Sequence, residues 1–191
     1  EPGGRAQARL PQAQRPPQLH LHDGEPAWQV AAVTGPWLDP EGQPARPYSN
    51  ARLMWDTHAL YLALYAADED IRSSGPHADA FSVQLALDGG PQWALHLPVA
   101  VSASEAVGVG GARASGPAVQ ASVDIDGEPD AGGAEGDEEW QVFAAVPWRS
   151  LGLTPHPGQV LRLTLARCDV PRDGVRRCGR WQGAYELGSD G

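Results

Sequence analysis

The chain is expected to fold as an all-β protein of short strands joined by turns. Three observations predict this. The 191 residues include 23 Gly and 18 Pro, a density of turn formers that breaks the chain into short segments. Several of those segments alternate apolar and polar residues with period two, as half-buried strands do. Little of the chain carries sustained helical patterning, which disfavours a helical bundle.

Taken in order, residues 1–19 hold Pro2, Pro11, Pro16 and Pro17 among Gln, Arg and Ala with no periodic apolar face. A flexible linker or tail is expected there, followed by one domain over residues 20–191. Asp23-Gly24 signals a turn before Pro26-Ala27-Trp28, a segment suited to one edge of a sandwich. Asn50 to Asp70 reads as a β-hairpin: Leu53 and Trp55 oppose Arg52 and Met54, a two-residue turn follows Asp56, and Leu60, Leu62 and Leu64 then alternate with Tyr61, Ala63 and Tyr65. Strands are expected over Asp79 to Asp88 and Trp93 to Val101, with Pro98 pointing to an edge position or a bulge. Residues 102–139 are loose apart from a strand at Ala118 to Ile125 and an acidic loop beyond it. A strand from Trp140 to Val146 is stopped by Pro147, after which Trp148 and Leu151 sit one helical turn apart to cap the core. Leu161, Leu163 and Leu165 mark one more strand, closed by Arg167-Cys168-Asp169.

The formal charge is −10, and all 14 basic residues are Arg. No clustered basic footprint of the kind a phosphate backbone requires is present, so a nucleic-acid partner is not expected. No apolar run approaches the roughly 20 residues of a membrane-spanning helix. The two cysteines, Cys168 and Cys178, flank the turn-rich Pro171-Arg172-Asp173-Gly174. That spacing suits a disulfide across the ends of a hairpin, and with it an extracytoplasmic setting: secreted, periplasmic or a cell-surface lipoprotein.

Three separated motifs resemble the family 9 carbohydrate-binding-module-like β-sandwiches (DOMON-like relatives included) over roughly Leu21 to Leu187. They are the hairpin with Trp55-Asp56 and Leu60-Tyr61, the Trp140 to Gly152 segment with Pro147-Trp148 and Leu151-Gly152, and the Leu161 to Asp169 strand with Arg167 and Asp169. Leu21, Asp23-Gly24 and Trp28 match the family's opening loosely, and Trp181 resembles its C-terminal Trp. The resemblance implies an antiparallel β-sandwich, jelly-roll-like, and a non-catalytic module of a bacterial cell envelope or secretome whose partner is a glycan or cell-surface polysaccharide. In sugar-binding members two Trp sandwich the terminal sugar. Trp181 matches the second of these, whereas the loop holding the first reads Ser74 to Asp79 here, with His77 its only aromatic ring. The family's strand Glu is replaced by Gln84, and its basic side chain on the next strand falls near His96. Candidate ligand-binding residues are therefore Trp181, Gln84, His96, His77 and Arg167. Trp28, Trp55, Trp140 and Trp148 are expected in the core.

Asp68 and Asp70, leaving the hairpin, and Asp79, beyond the next loop, supply hard oxygen donors of the kind Ca²⁺ takes, and calcium braces loops in modules of this kind. Asp124 to Asp130 is read as a loop, its Gly lying at the fourth place where an EF-hand needs the sixth. Relatives of this sandwich also bind haem, for which Met54 with His96 or His156 would be the ligands. No paired carboxylates, nucleophile elbow or phosphate loop with its strand-to-helix context is found, so an enzyme is not expected. Two alternatives to glycan binding stand beside it: a structural or protein-interaction domain of an envelope protein, and a haem-binding electron carrier.

Overall fold

The computed structural model describes residues 8–20, 26–100, 119–131 and 136–189. Its strands are β1 (Ala8–Leu10), β2 (Ala32–Val33), β3 (Ser49–Trp55), β4 (Ala59–Ala67), β5 (Ala80–Leu87), β6 (Trp93–Pro98), β7 (Gln120–Asp126), β8 (Glu139–Pro147), β9 (Val160–Asp169) and β10 (Arg177–Leu187), with a helical turn α1 at Pro26–Gln29 and a 3₁₀ turn at Trp148–Leu151. They form two five-stranded sheets, ordered β1-β10-β9-β5-β6 and β2-β3-β4-β8-β7. All pairs are antiparallel except β1 with β10. This is the expected sandwich.

Alternation decides which side chains meet between the sheets, because neighbouring residues of a strand point to opposite faces. Phe81, Val83 and Leu85 of β5 pair in register with Arg167, Leu165 and Leu163 of β9. Facing them from the other sheet are Leu53, Trp55, Leu60, Leu62, Leu64, Trp140 and Val142, all within the same buried core. The second sheet is covered on its outer side too. Trp28, Met54, Tyr61 and Phe143 form a separate buried cluster there, so the strands of its centre read apolar on both faces. Trp28, Trp55, Trp140 and Trp148 are each at most 1 % exposed, as the sequence leads one to expect.

The β3–β4 turn shows how one polar residue fixes a hairpin. Asp56 is buried, and its Oδ1 accepts the backbone N–H groups of His58 (2.7 Å) and Ala59 (2.8 Å) while Oδ2 accepts the Tyr61 hydroxyl (2.8 Å). Its own carbonyl accepts Trp148 Nε1–H at 2.9 Å, so the turn also docks the 3₁₀ segment. Burial and this carboxylate push the Tyr61 phenol well above its ordinary range. Asp56→Ala would leave a buried hydroxyl and two amides unpaired, and is expected to cost about 2–4 kcal/mol, read as a fall in the urea midpoint without change in slope. A loss below about 0.5 kcal/mol would mean that the turn holds its register without the carboxylate.

The Pro-rich start of the chain departs from expectation. From residue 8 the segment expected to be a tail is part of the sandwich: Ala8 to Leu10 pair with Tyr185 to Leu187, Leu10 is fully buried, and its carbonyl accepts Trp55 Nε1–H at 3.2 Å. Composition read it as linker, but one buried leucine and an edge waiting to be paired outweigh the prolines. Pro98, by contrast, ends β6 on the sheet edge, where a missing N–H costs no ladder bond.

The long β10 completes the first sheet. Between Trp37 and Ala45 a small hairpin lies across it, with Leu38 bridging Arg180. A Cβ at Gly179 would stand 2.7 Å from the Ala45 methyl, so the crossing needs glycine there. Cys168 and Cys178 are directly opposed on β9 and β10 and form a disulfide, as the spacing predicts.

Candidate functional site

Two constellations emerge, one on the outside of the first sheet and one buried at its end. On the outside, the residues that alternate with the core row are Ser82 and Gln84 of β5, His96 of β6, Arg162 and Thr164 of β9, and Arg180 and Gln182 of β10. Register places them in rows: His96 beside Ser82, then Ala166, then Arg180; and Ala94 beside Gln84, then Thr164, then Gln182. Gln84, His96, Arg180 and Gln182 are exposed. Gln92 Nε2 donates to Gln84 Oε1 and Arg180 Nη2 to Gln182 Oε1, both at 3.3 Å, so the amides are loosely oriented and keep free hydrogen-bonding positions. The face presents donors and acceptors between small residues, and among the described residues the imidazole of His96 is its aromatic ring, with no Trp, Tyr or Phe beside it.

Trp181 lies on the opposite side of the same sheet. It pairs with inward-facing Leu165, packs half-buried against the core and stacks on Tyr185 with ring centroids 5.7 Å apart. Gln84 and His96 therefore share one surface, and Trp181 does not share it. His77 is exposed in the loop before β5. Trp37 and Trp93 are buried as well, so of the seven tryptophans six are core and Trp181 is the least buried.

Arg167 belongs to the second constellation. Its side chain, 3 % exposed, points inward from the end of β9, where Nη2 meets Asp68 Oδ2 at 2.5 Å and Asp169 Oδ2 at 3.9 Å. Nη1 donates to the Ala67 carbonyl at 2.9 Å, and the guanidinium lies 5.8 Å from the centre of the Trp140 ring. Asp79 completes the group: oxygens of Asp68, Asp79 and Asp169 lie within 4.8 Å of one another, and all three residues are buried. One guanidinium faces three carboxylates. Burial above all, and then the Asp68 carboxylate, push Asp79 up to about 7 and Asp169 up to about 6, while Arg167 pulls both the other way. The Arg72 backbone N–H, 2.7 Å from Asp79 Oδ2, also favours the ionised form.

Such a group could hold a metal ion, since three carboxylates supply hard oxygen donors. Its membership corrects the sequence expectation. Asp68 and Asp79 are in it, but Asp70 is engaged by Arg72, Oδ2 to Nη2 at 2.6 Å, and Asp169 takes the third place. The strand parity explains this: Asp68 and Asp169 continue the inward rows of β4 and β9, whereas Asp70 lies beyond the strand end. The acidic loop after β7 has its own internal use, Asp137 accepting the N–H groups of Ile71 and Glu128. The haem arrangement with His96 as second ligand fails on placement. Met54 is buried on the outer side of the second sheet and His96 stands outside the first, so a sandwich about 10 Å thick separates them.

No protein-family model matches the sequence, and no curated protein is significantly similar to it. Solved structures do share its fold. A family 9 carbohydrate-binding module from Caldicellulosiruptor kristjanssonii, in complex with cellotriose, superposes with a TM-score of 0.68 at 14 % identity, over 97 % of this chain and 95 % of that one. A family 9 module from the same organism, in complex with glucose, gives 0.64 at 15 % identity over 95 % and 96 %. A structure from Bacteroides uniformis, provisionally described as a carbohydrate-binding protein, gives 0.56 at 13 % over 81 % and 78 %. The chain thus has the family 9 carbohydrate-binding-module-like sandwich fold that its motifs resemble. Among the described residues no helix is long and apolar enough to cross a membrane.

Proposed function

We propose that the chain is a non-catalytic, extracytoplasmic carbohydrate-binding module that recognises a glycan or cell-surface polysaccharide. The observation that carries this reading is the placement of Gln84 and His96. These are the two positions that the resemblance assigns to polar sugar contacts, and they stand exposed on the same outer sheet face, diagonally across the β5–β6 pair. Arg180, Gln182 and Thr164 extend the same surface across two further strands. Amide, imidazole and guanidinium groups there match the alternating donors and acceptors of sugar hydroxyls. Fold neighbours that carry cellotriose and glucose support the class of ligand. The disulfide supports an oxidising compartment. Trp181 and Arg167 lie on the inner side of this sheet, filling the core on which the face rests, and His77 is exposed in the loop before β5.

Titration calorimetry with cellotetraose and xylotetraose tests the reading, with Gln84→Ala/His96→Ala expected to weaken a bound oligosaccharide at least tenfold. Unchanged affinity in that variant would remove the outer face from recognition. We further propose Ca²⁺ as the structural ion of the Asp68, Asp79 and Asp169 group, where it would supply charge compensation that a single Arg167 cannot give to three carboxylates. A protein-interaction role remains the alternative, and a chain that binds no oligosaccharide would select it.

A further inference from the structure

At the end of the sandwich, away from the row of Gln84 and Gln182, a cleft of about 580 Å³ opens between the approach to β3 and the β9–β10 hairpin. We propose that it is a second sugar site, taking a pyranose ring that carries no acidic group. The proposal rests on the carbohydrate-binding reading of the fold and is independent of the outer-face residues. The volume falls within the roughly 300–1,000 Å³ of small-molecule sites.

One wall is aromatic. Tyr48 is 45 % exposed, one of four large apolar side chains among the described residues left open to at least this degree, and it alone of the four lines this cleft. Its ring leans on Tyr65, centroids 6.2 Å apart at 56°, and its hydroxyl accepts Asn50 Nδ2–H at 3.3 Å. Tyr65 is in turn hydrogen-bonded to Glu139, which together with burial raises its phenol to about 12. The platform is therefore braced from behind, and little side-chain entropy is left to lose when an apolar sugar face covers it. The polar wall lies opposite. Arg177 reaches the cleft from β10 with its guanidinium already oriented by both carboxylate oxygens of Asp173, and Pro171 rises beside it. The disulfide between Cys168 and Cys178 closes that hairpin at its base.

Glu69, Glu138 and Arg46 complete the rim and are exposed. An aromatic face with carboxylate acceptors and guanidinium donors around it is the arrangement that holds a pyranose, ring on ring and hydroxyls at the edge. Charge narrows the class. Setting aside Asp68 and Asp169, which Arg167 and the proposed ion compensate, Glu69, Asp137 and Glu138 face Arg46 and an Arg177 already paired with Asp173, so carboxylates prevail and a uronic acid would be repelled.

The test is calorimetric, on the whole chain, with cellotetraose and tetragalacturonate as probes. Two cellotetraose sites per chain are expected, one lost in Tyr48→Ala and kept in Tyr48→Trp, the other lost in Gln84→Ala/His96→Ala; circular dichroism checks the fold of each. Tetragalacturonate is expected to bind at least tenfold more weakly at the Tyr48 site. A single site lost only with Gln84 and His96 would overturn this inference and leave the outer face standing. A single site lost only with Tyr48 would do the reverse. Equal binding of tetragalacturonate at the Tyr48 site would overturn the ligand class, and no binding of either sugar would overturn both sites.

Discussion

Arg167→Met is expected to destabilise the protein by about 3–5 kcal/mol at pH 7.5, the largest loss from any single side chain discussed above. The reason is electrostatic rather than volumetric. Methionine fills most of the same space, but among the described residues Arg167 is the one cation in contact with Asp68 and Asp169, whose carboxylates are almost wholly buried. Removing it also frees the Ala67 carbonyl, which accepts Nη1–H, and removes the cation from the Trp140 ring. The cost should depend on pH. Protonating Asp79 and Asp169 removes two of the charges that the guanidinium compensates, so the difference between Arg167→Met and wild type should shrink at pH 5, as measured by urea unfolding. Arg167→Lys, which retains charge but offers no planar fork, should fall between the two. A loss under 1 kcal/mol at pH 7.5 for the Met variant would mean that the group is compensated by something other than Arg167.

This cluster was half legible in the sequence, and parity shows why. Leu161, Leu163 and Leu165 mark the inward row of β9, and Arg167 and Asp169 continue it without a break. Asp68 continues Leu62, Leu64 and Ala66 in the same way, and Asp79 precedes Phe81 and Val83. Charged residues on an inward row must find one another, so Asp169 could have been found beside Asp68 and Asp79 by extending the count past the strand ends. Asp70 has the same parity as Asp68 but lies beyond β4, where the chain has turned and alternation no longer applies. The aromatic signal was misleading for a different reason. Trp181 shares its inward row with Gly179 and Gly183, which interrupt the apolar pattern and hide an 11-residue strand. The hairpin at β3–β4, the edge position of Pro98 and the disulfide were legible because each depends on local chemistry. The parallel pairing of β1 depends on a partner some 175 residues away and leaves no local mark.

Without added metal, the protein is expected to become less stable as pH rises from about 4 to about 7.5. Asp79 and Asp169 hold their protons to about 7 and about 6 in the folded state, against 3.8 as the ordinary value of an aspartate. Within that window the folded chain binds more protons than the unfolded one, so stability declines with rising pH and levels off once both groups are ionised. The two sites share Asp68 as a neighbour and do not add independently, so the total is on the order of 2–4 kcal/mol. Calcium should act in the opposite sense. A bound ion requires ionised carboxylates, competes with their protons and stabilises only the folded form, so 5 mM CaCl₂ should raise the unfolding temperature at pH 8 and have little effect at pH 5. Asp79→Asn separates the two contributions: it removes a repelling charge, which should make the metal-free protein more stable at pH 8, while weakening its response to calcium. If calcium leaves the wild-type unfolding temperature at pH 8 unchanged, the carboxylates hold no such ion, and the metal-free pH slope should then persist in its presence. A metal-free protein whose stability does not fall between pH 4 and 7.5 would contradict the buried, undercompensated state of the group itself.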